Sequence, residues 1–229
     1  EQLRVLERER PHTVLRPQDN TYGMVLFSRL ELVEPRVEFL VEDDVPSFHL
    51  RVRLPFGREV ELHCLHPRPP APGENPRSTE RDAELLVVGK AVKEARLPVI
   101  VAGDLNDVAW SHTTRLFQKV SGLLDPRIGR GFFNTFHARI PLVRWPLDHL
   151  FHSRHFRLLA LERGRAYGSD HFPVYVALSY ESDAQDHHDE PEADSGERRE
   201  AEEKIADAVE EEGKSPGQAE SEARVDGGG

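Results

Sequence analysis

Cysteine is nearly absent: Cys64 is the one thiol in 229 residues, which excludes an intramolecular disulfide framework. It leaves the compartment undecided, because exported proteins can do without disulfides. Long apolar runs are missing as well. No stretch reaches membrane-spanning length, and none has the layout of a signal peptide. The chain opens on Glu1 rather than Met, so we expect that an N-terminal portion precedes it, with any targeting segment. Mean hydropathy is −0.58 and apolar residues make up 38%, low for a chain that is globular throughout.

The deficit is local. No aromatic residue follows Tyr180, and residues 181–229 carry 18 Asp/Glu against 5 Lys/Arg. That segment therefore carries more negative charge than the chain's net −11, and residues 1–180 are close to neutral and slightly positive. With only scattered Ile and Val, residues 181–229 bury too little apolar surface to offset their ordering entropy. They read as a solvated, disordered acidic tail, with a short helix possible over 197–212 where Ala, Glu and Lys favour it. His187 and His188 beside Asp186 and Asp189 have the chemistry of weak metal ligands, but nothing fixes their geometry.

Residues 1–180 hold the fold. Runs at 22–29 and 37–42 are apolar enough for buried strands. Phe48, Leu50, Val52 and Leu54 alternate with His49, Arg51 and Arg53, a period of two that predicts a half-buried strand. After a turn at Pro55-Phe56-Gly57, Val60, Leu62 and Cys64 alternate again, giving an antiparallel hairpin that ends at His66. Five prolines between Pro67 and Pro76 break it. Thr79 with Asp82 resembles a capping box opening a helix with Leu85, Val88, Val92 and Ala95 on one face. Val99–Ala102 is a short apolar strand running into Gly103-Asp104-Leu105-Asn106. Ser111 can cap a second helix, and further strand-like runs fall at 147–152, 156–161 and 172–178. No internal repeat is visible. Strands and helices mix irregularly, which indicates a layered α/β fold.

Four polar positions lie at strand edges: His66, Asp104 with Asn106, Asp148, and Asp170 with His171. Rigid sheet edges are where catalytic groups tend to sit. Singly, each has an ordinary structural reading as a turn, cap or hydrogen-bonding residue. Asp148 stands apart, because it interrupts the apolar run Pro146–Phe151 and a carboxylate there needs a partner; a histidine would serve.

Taken in order, Gly103-Asp104-Leu105-Asn106, Leu147-Asp148-His149-Leu150-Phe151 and Gly168-Ser169-Asp170-His171-Phe172-Pro173-Val174 resemble the C-terminal signatures of the endonuclease/exonuclease/phosphatase superfamily. Leu62-His63-Cys64-Leu65-His66-Pro67 resembles the preceding histidine-containing signature. Tyr22-Gly23 with Ser28-Arg29 resembles the strand before that. The resemblance spans about residues 1–180 and implies a sandwich of two mainly antiparallel or mixed β-sheets covered by helices.

It also implies roles: His171 as general base, Asp148 orienting it, Asp104 and Asn106 positioning nucleophile and phosphate, Asp170 helping to hold Mg²⁺ or Mn²⁺, and His66 contacting the phosphate or the leaving oxygen. The lone Cys64 fits hard oxygen ligation rather than a thiolate zinc site. Two early signatures of the superfamily, an Asn and a metal-binding Glu, have no counterpart here, so the first β-α-β part is expected to lie upstream. His66-Pro67-Arg68-Pro69-Pro70 and Trp110-Ser111-His112-Thr113 look like bacterial members with apolar N-terminal spans, which would place the domain outside the cytoplasm on a membrane anchor.

The substrate stays open between nucleic acid and an anionic lipid or inositol headgroup. Eight arginines between Arg127 and Arg165 suggest a polyanion, or only an ordinary charged surface; Phe132, Phe133, Phe136 and Trp145 could stack on bases or belong to the core. Arg68, Asn75 and Arg77 of the Pro-rich loop are further contact candidates. A degenerate member that binds a phosphorylated ligand without hydrolysis is the competing class. Lacking the upstream carboxylate, residues 1–229 alone should hydrolyse phosphoesters weakly or not at all; robust Mg²⁺-dependent turnover by the purified chain would overturn that expectation.

Overall fold

The computed structural model describes residues 3–70, 78–181 and 183–212. A short helix, α1 (Leu3–Glu9), leads into the antiparallel pair β1 (His12–Arg16) and β2 (Met24–Ser28). A five-stranded mixed sheet follows, in the order β3 (Leu32–Glu38), β4 (Ser47–Arg53), β5 (Glu59–Leu65), β6 (Val99–Asp104), β7 (Asp148–His152). Its neighbours are antiparallel except β5 and β6, which run parallel and are joined through helix α2 (Thr79–Lys93). Helix α3 (His112–Ser121) lies between β6 and β7 in sequence, and β8 (Phe156–Arg163) with β9 (Val174–Tyr180) forms a separate antiparallel ladder. The layered α/β reading is borne out.

Strand periodicity divides the core in two. On one face, Leu65, Val99, Val101 and Phe151 pack with Leu85, Val88 and Val92 of α2 and Phe117 of α3. On the other, Val37, Phe48, Leu50, Leu62 and Cys64 pack with Val14, Met24 and Leu26 of the β1–β2 pair. Strand β1 has no counterpart in the sequence reading. The half-buried expectation for β4 holds at Arg51 and Arg53 but not at His49, which is buried. Its Nδ1 lies 2.7 Å from Nδ1 of His63 and its Nε2 lies 2.8 Å from the Ser47 hydroxyl. Burial, followed by the neighbouring His63, holds the His49 pKa down to about 3.

Helix ends follow local chemistry. Ser111 accepts the Thr114 amide at 2.9 Å and Gly122, at φ 75°, closes α3, as expected for a serine N-cap and a left-handed glycine cap. The capping box read at Thr79 and Asp82 is not formed. Ser78 is the cap residue of α2, and Asp82 is engaged elsewhere.

The disordered-tail reading is corrected over 183–212. A 3₁₀ turn (Ala184–His187) precedes helix α4 (Ser195–Glu212), which docks on α2 and α3. Asp194 and Glu197 form a reciprocal capping box, with the Glu197 amide donating to Asp194 at 2.9 Å and the Asp194 amide donating to Glu197 at 3.0 Å. Ala201, Ile205 and Ala208 recur at helical spacing; Ala201 and Ile205, with Ala193, pack against Leu86, Leu116 and Val120. The acidic residues meet cations: Glu190 meets Lys93 and Arg154, Glu197 meets Lys119, and Glu202 meets Lys90. A small-residue stripe is a weak periodic signal, and complementary charge is invisible until the partner surface exists. Residues 213–229 of the expected tail lie outside the described residues. No helix among the described residues is long and apolar enough to cross a membrane.

Among the described glycines, Gly103 leaves the least room for a side chain. A Cβ there would sit 1.9 Å from the carbonyl oxygen of Leu65 on the parallel neighbour β5. Gly103→Ala should therefore destabilise the protein by about 2 kcal/mol or more, as overpacking against a fixed backbone does. Urea unfolding that shifts by less than the error of the fit would contradict this contact.

Candidate active site

Three strands deliver their polar ends to one edge of the large sheet. His66 follows the last residue of β5, Asp104 ends the parallel strand β6, and Asp148 begins the antiparallel strand β7, so that Asp104 and Asp148 are register partners. His171 precedes β9. It is held in place by residues 135–138, where the Ala138 amide donates to the Asp170 carbonyl at 2.6 Å and the Phe172 amide to the Thr135 carbonyl at 2.9 Å. The Phe136 ring lies against His171, with centroids 5.0 Å apart.

His171 Nδ1 is 2.8 Å from Oδ2 of Asp148, and its Nε2 is 3.5 Å from Oδ2 of Asp104. His66 Nε2 approaches the same Asp104 oxygen at 3.9 Å, with the Tyr22 ring 5.4 Å away. Two imidazoles thus flank one carboxylate. Their basicities diverge. The Asp148 hydrogen bond holds the His171 pKa above its ordinary value despite partial burial, whereas burial pushes His66 down against the pull of Asp104. Asp104 itself is raised, by burial first and by the like charge of Asp148 second.

Asn106 completes the loop. Its amide donates to Asp104 Oδ1 at 3.0 Å and its side chain donates to the Pro67 carbonyl at 2.9 Å. It adopts φ 49°, a left-handed conformation that Asn accepts more readily than most residues.

A buried network that the sequence reading missed lies behind these groups. Arg127 forms an ion pair with Asp125 at 2.8 Å and donates to His149 Nδ1 at 2.6 Å, while His149 Nε2 donates to the Asp107 carbonyl at 2.8 Å. Burial and the Arg127 charge hold the His149 pKa down to about 3, so the ring is neutral and its two nitrogens are committed. The Asp148 amide donates to Thr135 Oγ1 at 3.2 Å. His149 adjoins Asp148 within a recognised signature, but nothing local marks Arg127 or Asp125 as its partners.

His66, Asp104, Asn106, Asp148 and His171 are thus brought together. Asp170 is not among them: it is exposed, beside the Ser169 hydroxyl. Among the described residues, three ligand atoms are close enough to share one ion, all within 4.8 Å of one another, and they belong to Asp104, Asp148 and His171. Of these, Asp148 and His171 already satisfy each other, whereas Asp104 carries a charge that its surroundings disfavour. Oxygen donors and an under-compensated carboxylate fit a hard divalent cation, and Mg²⁺ commonly needs only one or two protein carboxylates, with water and phosphate oxygens supplying the rest.

The arginine-rich segment does not form one basic face. Arg127 is buried, while Arg154 and Arg157 pair with Glu190 and Glu181. Arg144 and Arg163 lie 5.1 and 4.4 Å from the Phe172 ring, and Arg139 donates to the Gly168 carbonyl, so these three lie along the segment that carries His171. Phe132 and Trp145 are exposed rather than core, with Trp110 set edge-on against Phe132. Arg68 is held by Glu42 and Asp44 at 2.6 and 2.8 Å. Asn75 and Arg77 lie outside the described residues.

The Endonuclease/Exonuclease/phosphatase family model matches residues 3–171. Among solved structures, TDP2 from D. rerio in complex with a single-strand DNA product is 18% identical with TM-score 0.62, covering 78% of this chain and 80% of that one. A mannosyl-6-phosphatase from Bacteroides thetaiotaomicron is 19% identical with TM-score 0.60, covering 78% and 81%. The human nocturnin catalytic domain with bound sulfate is 17% identical with TM-score 0.57, covering 73% and 72%. No curated protein sequence matches.

The Asp148 contact yields a direct test. Asp148→Asn should lower the pKa of His171, read by NMR titration of its ring protons in metal-free buffer. An unchanged titration would show that this hydrogen bond does not set the basicity of the ring.

Proposed function

Since the chain belongs to the endonuclease/exonuclease/phosphatase family, we propose that it hydrolyses a phosphoester, with His171 as general base. The observation that carries this reading is the 2.8 Å contact between His171 Nδ1 and Asp148. With Nδ1–H donated to the carboxylate, Nε2 keeps a lone pair for a water proton, and Asp148 stabilises the imidazolium that results. Asp104 faces Nε2 and, fixed by the Asn106 amide, holds the attacking water in line. The Asn106 side chain and His66 hydrogen-bond the scissile phosphate; burial keeps His66 neutral, which suits it to donate to an oxygen without carrying charge.

Asp104 would hold Mg²⁺ or Mn²⁺, which would supply neutralisation of phosphate charge and stabilisation of the leaving oxygen. Arg139, Arg144 and Arg163 along the 168–172 segment support a polyanionic substrate, and the exposed Trp110, Phe132 and Trp145 support nucleic acid over a bare headgroup, since aromatic faces stack on unpaired bases.

The test is Mg²⁺- and Mn²⁺-dependent hydrolysis of bis-p-nitrophenyl phosphate and plasmid DNA by the full-length protein. His171→Ala should lower kcat by about 10²- to 10⁴-fold, the usual worth of a positioned base, with the fold retained by circular dichroism. Equal rates in mutant and wild type would remove His171 from the mechanism. Hydrolysis of inositol or sugar phosphates but not of DNA would redirect the substrate assignment.

A further inference from the structure

A chain of polar contacts crosses from α4 to the loop that carries Asn106. Lys204 of α4 reaches Asp82 Oδ2 on α2 at 3.0 Å, and the Thr113 hydroxyl of α3 donates to the same oxygen at 2.7 Å. Asp82 is buried at 3% exposure. Burial raises its pKa, but the Arg81 charge and the bonds from Thr113, Arg81 and Lys204 outweigh this, so the carboxyl stays below its usual range and charged. Its other oxygen, Oδ1, takes both Nε and Nη2 of Arg81, at 3.1 and 2.7 Å. That leaves Nη1 of Arg81 to donate to the Asn106 carbonyl at 2.8 Å. Arg81 Nη2 also lies 3.7 Å from Asp107 Oδ1.

The division of the Asp82 oxygens is what matters. A guanidinium prefers to fork across both oxygens of a carboxylate. Here it converges on one, because Lys204 and the Thr113 and Ser78 hydroxyls, the last at 3.2 Å, hold the other. Removing Lys204 leaves Oδ2 with neutral hydroxyl donors and no cation, and Arg81 gains by swinging its charge toward that oxygen. That motion draws Nη1 away from Asn106. The Asn106 backbone is left-handed and depends on its neighbours to stay so, and it is also the donor that fixes Asp104.

We propose that Lys204 is a positioning residue for the active loop, acting through Asp82 and Arg81 on Asn106. The C-terminal helix thereby becomes part of the machinery of a site that it does not touch. This inference takes the catalytic relevance of Asn106 from the reading above, but the contact chain can be read without catalysis.

The test compares Lys204→Ala, Lys204→Arg and, as a control on the same interface, Lys90→Ala, which removes only the exposed pair with Glu202. In NMR hydrogen exchange, Lys204→Ala should speed exchange of the Asn106 amide about five- to tenfold, the scale of one lost hydrogen bond, and leave Leu85 and Leu86 of α2 unchanged. Lys204→Arg and Lys90→Ala should behave as wild type. In the full-length protein, kcat on bis-p-nitrophenyl phosphate should fall about threefold or more in Lys204→Ala, as for one weakened hydrogen bond, with KM unchanged and Lys204→Arg restoring it. Unchanged Asn106 exchange in Lys204→Ala overturns the proposal. So does faster exchange spread evenly over α2 and α3, which would mean that Lys204 only docks the helix. A wild-type protein without hydrolysis would sink the catalytic reading while leaving the exchange result to decide the contact chain.

Discussion

Asp104 and Asp148 are register partners across β6 and β7, so two carboxylates share one partly buried sheet edge. Like charges opposite each other on adjacent strands repel, and desolvation adds to the cost. The arrangement persists because compensating groups surround it. His171 hydrogen-bonds Asp148 at 2.8 Å, and His66 with His171 brackets Asp104. Compensation is unequal, and the residue of it falls on Asp104, whose pKa is driven up. An edge left short of positive charge is suited to a cation and to a reaction that passes a proton. Structural neutrality would have been simpler to build with apolar side chains.

Holding that edge in place requires that the scaffold under it not titrate. His149 adjoins Asp148 and is fully committed, one nitrogen accepting from Arg127 and the other donating to the Asp107 carbonyl. His49 is likewise buried and neutral. Both imidazole pKa values are held down to about 3, whereas the Asp148 hydrogen bond holds His171 above its ordinary value. Gly103 serves the same end by geometry: the close parallel approach of β5 and β6 sets the height at which His66 and Asp104 emerge.

How much of this could be read from sequence follows the range of each interaction. Strand alternation and the Ser111 cap are local, and they were legible. So were Asp104, Asn106, Asp148 and His171, because each sits in a short signature beside a strand. The partner of Asp148 was anticipated as a histidine on desolvation grounds alone. Arg127 with His149, and Arg81 with Asn106, were not legible, since they join segments 22 and 25 residues apart through buried guanidinium contacts with no local pattern. The arginine-rich stretch misled in the opposite sense. Its residues are close in sequence, yet the fold buries Arg127, pairs Arg154 and Arg157 with acids, turns Arg130 back onto its own loop carbonyls, and sets Arg139, Arg144 and Arg163 against the 168–172 segment.

The C-terminal segment shows the same limit most clearly. Its composition satisfies every criterion for disorder, because alanine buries little area and a charge run normally prefers water. Individually, exposed ion pairs contribute only about 0–1 kcal/mol, and no single contact here would hold the helix. What differs is that the capping box at Asp194 and Glu197, the Ala201–Ile205–Ala208 stripe and several acid–base pairs all point to one docked state. Consistency across levels lowers the ordering cost that each contact would otherwise meet alone. Lys204 is the exception within that surface, because its partner Asp82 is buried and the pair is continuous with the active loop. Charge on the rest of α4 is replaceable so long as the helix docks; charge at Lys204 is tied to the geometry of Arg81.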